Sequence, residues 1–146
     1  MFYSETKVIF LFLFLTLISI ADIRFYKIPD SLLLSLFVLL LSFDVKSDFD
    51  NILIHIASAI LMSLIFVLIY KYAGGLGFGD VKFIGVLSYS MGFRTSLYAF
   101  LLASLVALVF LLSKSILSTH KAKIKIPFAP FLSLGSLVAI SMCGGL

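Results

Sequence analysis

The stretch Gly77-Phe78-Gly79-Asp80-Val81-Lys82 sets a carboxylate directly after two glycines, where a long apolar segment resumes. A second carboxylate, Asp22, stands at the far end of the first apolar segment. A charge held at the edge of hydrocarbon is costly and marks function by default. Two such carboxylates are the residue types for acid/base chemistry at a membrane surface. One would take a proton from water while the other protonates or holds a carbonyl.

Each of these residues also has a plainer role open to it. Asp80 can cap the helix that follows, satisfying orphan backbone N–H groups. The positive end of that helix would then favour its ionised form. Asp22 ends a helix, where the dipole favours the protonated form, and it could pair with Arg24 or Lys27. If the two approach, repulsion favours one shared proton, and the apparent pKa values belong to the pair. Gly77 and Gly79 free the backbone for close approach and imply an unwound stretch at the membrane edge. Asp30, between Pro29 and Ser31, reads as the N-cap of a second helix. Lys82 lies two residues past Asp80 and so points to another helix face. There it could meet a lipid phosphate or a substrate carboxylate, or only mark the membrane edge.

The elements that must position these residues follow from composition. The 146 residues are 62% hydrophobic and 12% charged. A soluble domain carries about a quarter charged residues. With a mean hydropathy of +1.24, most of the surface cannot face water, so this is an integral membrane protein. The length allows one membrane-embedded domain over 1–146 and no soluble domain beside it. A net charge of +4 fits basic cytoplasmic loops and gives no reason to expect nucleic acid. The single Cys143 excludes a disulfide framework or a CxxC zinc site within the chain. His55 and His120 are far apart, so no metal or other cofactor is expected.

Apolar runs near 8–21, 32–43, 52–70, 81–91, 96–113 and 128–142 predict an all-α polytopic protein with about six transmembrane helices. The second and fourth runs are short for a full span. With the 22–31 connection placed in the cytoplasm, the cytoplasmic loops hold Arg24, Lys27, Lys71, Lys82, Lys114, Lys121, Lys123 and Lys125. The other side holds Lys7, Lys46 and Arg94, with Glu5, Asp44, Asp48 and Asp50. Eight basic residues against three orient the chain with both termini outside. The same assignment puts Asp22 and Asp80 on one face, a fact the charge rule did not use. A rival reading makes 8–21 a secretory h-region cleaved after Ser19-Ile20-Ala21, but it leaves an odd number of spans. The Lys121–Lys125 run could touch anionic headgroups, or serve only as a topology signal.

Three blocks resemble the type IV prepilin peptidases, GxGD-type membrane aspartyl proteases. Asp22-Ile23-Arg24-Phe25-Tyr26-Lys27-Ile28-Pro29-Asp30 resembles the family's first catalytic block. Gly77 to Lys82 is similar to its GxGDxK block. Ile126-Pro127-Phe128-Ala129-Pro130 is similar to the proline-bearing start of the last helix, with Ala129 where many members have glycine. The resemblance implies Asp22 and Asp80 as the catalytic pair, with Gly77, Gly79, Lys82, Pro29, Asp30, Pro127 and Pro130 as substrate-binding or structural positions. It also implies a prepilin or pseudopilin substrate in an inner membrane, cut at the cytoplasmic face, with lipid as the other partner. Larger members carry an N-terminal domain with paired CxxC motifs and methylate the new N-terminus. This sequence shows neither feature, and methyl transfer is not expected of it. Its size is similar to the short members that serve Tad/Flp-type pili or archaeal flagellin-like proteins. Two rivals stay open: another di-aspartate signal peptidase, and a non-enzymatic subunit of a secretion or transport system.

Overall fold

The computed structural model describes residues 5–47, 51–73, 77–117 and 127–143. The described residues form six helices: α1 (Glu5–Phe25), α2 (Asp30–Ser47), α3 (Ile52–Ala73), α4 (Phe78–Met91), α5 (Phe93–Leu117) and α6 (Ala129–Met142). Each expected apolar run becomes one helix, most of them lengthened by polar end turns. The protein is an all-α, polytopic membrane protein. The Lys121–Lys125 run and His120 lie outside the described residues, as does the 74–76 stretch before Gly77.

Three helices are long and apolar enough to cross a bilayer: Thr6–Phe25, Ile52–Tyr72 and Phe93–Ser113. Helices α4 and α6 have 14 residues each, a rise of about 21 Å against a hydrocarbon core of about 30 Å. Helix α2 has 18 residues but carries Asp30, Asp44 and Lys46, which lower its apolar content. Leu53, Ile60, Leu105 and Val109 are well exposed, as expected of residues that face lipid rather than water.

Helix α4 is the hub of the bundle. It packs against α2, α3, α5 and α6, while α1 packs against α2 and α6. Its Val81, Phe83, Ile84, Leu87, Tyr89 and Met91 are buried. Neighbouring helices surround it, which is how so short a helix is accommodated. Helices α5 and α6 approach closely because Gly135 has no side chain. A Cβ there would lie 2.4 Å from the Ala99 carbonyl oxygen. In lipid, where apolar burial gives little drive between helices, such close contact is what holds them. Helix α1 joins the core through Leu11, Leu15 and Ile18, and Ser19 hydrogen-bonds Ser133 of α6 at 2.8 Å. The first apolar run is thus a packed member of the bundle.

Polar groups collect at the two ends. One end brings together Asp22, Asp30, Asp80, Lys82 and the first residue of α6. The other end holds a buried Lys7–Asp44 ion pair and a bond between His55 Nδ1 and the Tyr89 carbonyl at 2.8 Å.

Candidate active site

Helix α4 opens at Gly77, whose extended backbone (φ −78°, ψ 143°) makes it the N-cap. Its carbonyl accepts the N–H of Asp80 at 3.1 Å. Asp80 is therefore not the cap but the third helical residue, and Gly77 N–H donates back to its Oδ2 at 3.2 Å. That bond is the half of a capping box that a glycine cap allows. A Cβ on Gly77 would sit 3.0 Å from the same oxygen, so a side chain there would crowd the carboxylate. Gly79 is helical rather than unwound, contrary to expectation. Ile28 rests on it, and a Cβ would reach only ordinary contact with Ile28 at 3.4 Å. The 26–29 turn is thereby seated on the first turn of α4.

Asp22 lies in the last turn of α1 and is 6% exposed. Its backbone carbonyl accepts Tyr26 N–H at 2.8 Å, and Tyr26 has φ 50°, a left-handed conformation rare for a bulky residue. Such backbone outliers cluster at functional sites. The Asp22 Oδ2 accepts Ala129 N–H at 2.9 Å in a buried contact. The sequence reading saw only the unfavourable end of α1 and not this second contact. Asp22 also faces the N-terminus of α6, whose orphan N–H groups and dipole favour a negative charge. Among the described residues no ion pair joins it to Arg24 or Lys27. Pro127 and Pro130 flank that N–H. Pro130 lies in the first helical turn, where a missing donor costs nothing.

Asp80 precedes the apolar stretch of α4 and is partly buried. Burial pushes its carboxyl up to about 6, and the nearby charge of Asp22 adds to the rise. The bond from Gly77 pulls the other way and is outweighed. The expectation that the helix N-terminus keeps Asp80 ionised is thus overturned, because desolvation and a like charge exceed the dipole.

Asp30 does not cap α2 with its side chain. The N–H groups of Leu32 and Leu33 go to the Pro29 carbonyl, and the Asp30 carboxylate takes Lys82 Nζ on both oxygens, at 2.9 and 2.8 Å. Lys82 also lies 5.1 Å from the centre of the Phe78 ring. The site residues expected from sequence therefore meet at one end of the bundle. Sequence reasoning missed the Ala129 N–H, a backbone group. The proline-flanked start of α6 marked the place but not its partner.

Residues 9–112 match the Type IV leader peptidase family, a stretch that includes Asp22, Asp30 and the Gly77–Lys82 block. A prepilin leader peptidase/N-methyltransferase of Pectobacterium carotovorum subsp. carotovorum is 30% identical over 137 residues, which cover 90% of this chain and 49% of that protein. The chain thus spans about half the length of the curated relative it matches. No solved structure matches it. The matched region contains both carboxylates and the turns that seat them, and on that footing the chain belongs to the type IV leader peptidase family.

Proposed function

We propose that this protein is a membrane aspartic endopeptidase. In this reading it removes the leader peptide from prepilins or pilin-like proteins at the cytoplasmic face of the inner membrane. The observation that carries the proposal is the meeting of Asp22 and Asp80. They come from α1 and α4, which do not pack along their lengths, yet they lie close enough that one charge alters the other. Structural carboxylates are not ordinarily brought together unpaired, because their repulsion is uncompensated.

The division of labour follows from the surroundings. Asp80, with its raised proton affinity, holds the shared proton. Asp22, pinned by Ala129 N–H, carries the charge and takes a proton from water. The water oxygen adds to the scissile carbonyl carbon while Asp80 protonates the carbonyl oxygen. Collapse of the tetrahedral intermediate breaks the C–N bond; the proton held by Asp22 goes to the leaving amine, and one hydroxyl of the intermediate returns its proton to Asp80 as the new carboxyl group forms. The basic residues beside Asp22 and Lys82, together with the loop charge asymmetry, support a cytoplasmic site. The substrate class rests on family membership, and the whole chain is read as one membrane-embedded aspartyl peptidase domain.

The test is co-expression of a prepilin bearing a Gly-terminated leader with the parent, Asp22→Asn or Asp80→Asn protein. Leader loss with the parent alone is the expected result. Full cleavage by Asp80→Asn would sink the mechanism.

A further inference from the structure

Helices α2 and α3 are consecutive, yet they do not pack side by side; both lie against α4. The space between them is a groove of about 520 Å³. Its floor is Lys82, Gly85 and Val86 of α4, and its walls include Phe37 of α2 with Ser63 and Val67 of α3. A second hollow of about 340 Å³ shares Phe37, Lys82 and Val86 and continues the groove to Asp30. The result is one lateral groove, open to lipid, that ends at the Asp30–Lys82 pair.

We propose that this groove seats the first turns of the substrate's apolar helix, the segment just C-terminal to the scissile bond. The inference rests on the leader-peptidase reading above. Two features of the groove argue for a helix as its occupant. The α3 wall runs from Ala59 to Val67, about 12 Å or two helical turns. The head of the groove matches the start of a helix. A helix N-terminus presents orphan N–H groups and a positive dipole end, and the Asp30 side chain, 71% exposed, is placed to accept them.

The path to the carboxylates is short. Lys82 stands two residues beyond Asp80, about 200° round the helix. Groove and acid pair therefore flank the first turn of α4. About three extended residues, ~10 Å, carry the chain across it from the helix start to the scissile bond. Gly77 leaves that edge without a side chain in the way.

The experiment uses full-length protein in membranes, in a Cys143→Ser background so that added cysteines stand alone. Val67→Cys, and Leu105→Cys as a control on the exposed face of α5, are each co-expressed with a prepilin. That prepilin carries one cysteine in the first two turns of its apolar helix. In parallel, Val67→Trp fills the groove. KM is measured for the whole prepilin and for a peptide with leader and scissile bond but no apolar helix. After the isolated membranes are oxidised with copper–phenanthroline, which accepts the two electrons, the expected results are a disulfide at position 67 and none at 105, and a severalfold rise in KM for the prepilin at unchanged kcat. The short peptide should be cut equally well by both forms. Cleavage by the parent with no cross-link at 67 above the control would overturn the groove and leave the peptidase reading standing. An unchanged KM in Val67→Trp would also overturn it and assign the groove to lipid. Failure of the parent to cut the prepilin would overturn the peptidase reading and the groove with it.

Discussion

Asp80 is a carboxylate held where folding alone would not favour it. Its carboxyl is raised from the ordinary value of 3.8 to about 6, mostly by burial. The folded protein therefore binds the proton more tightly than the unfolded chain. The stability that this proton brings is complete below about pH 4 and is lost as pH rises through about 6. Asp80→Asn keeps the shape and removes that loss. We expect it to be inactive yet to melt at or above the parent at pH 7.5, by about 1–3 kcal/mol, with the advantage gone below pH 4. Thermal unfolding in detergent at the two pH values measures this. An Asp80→Asn protein that melts well below the parent at pH 7.5 would mean that the carboxylate is structural. Cleavage by the parent should likewise fall as pH rises through about 6, since the pair then loses its last proton.

The elements at the opposite end of the bundle hold the molecule together without touching the chemistry. Lys7 of α1 and Asp44 of α2 form an ion pair in which both side chains are almost wholly buried. In the sequence they are two unremarkable charges near helix ends. Nothing in their spacing says that they meet, because the contact joins residues 37 apart. Breaking such a pair on one side strands a buried charge, while removing both partners together costs little. Lys7→Met should therefore destabilise by roughly 3–5 kcal/mol, and the Lys7→Met/Asp44→Leu double variant should recover most of that loss. The Lys82–Asp30 pair is the contrasting case, since its side chains are 40% and 71% exposed. Breaking it should cost at most about 1 kcal/mol of stability. At the α5–α6 interface, Gly135→Val would drive side-chain atoms into the Ala99 carbonyl. A loss of about 1–3 kcal/mol in a detergent melt is expected, with the acid pair itself unaltered.

For the whole molecule, the sequence made the class and the six helices legible, because runs so uniformly apolar have few alternatives. The gathering of Asp22 and Asp80 at one end was legible from loop charge. The central place of α4 was not, nor the gap between α2 and α3. Helices apolar all round carry no stripe to say which face meets which neighbour. The Asp22 environment was hidden for a related reason: its partner is a backbone N–H 107 residues away, and backbone groups leave no mark in residue type. Sidedness is the property on which the proposed function most depends. Lys27 lies in the turn at the acid-pair end, and Arg94 opens α5 at the other end; both are exposed. In a Cys143→Ser background, Arg94→Cys should react with a membrane-impermeant maleimide on intact cells, and Lys27→Cys only after lysis. The reverse pattern would turn the molecule over. The two carboxylates could still hydrolyse a peptide bond, but a leader left in the cytoplasm would lie beyond their reach.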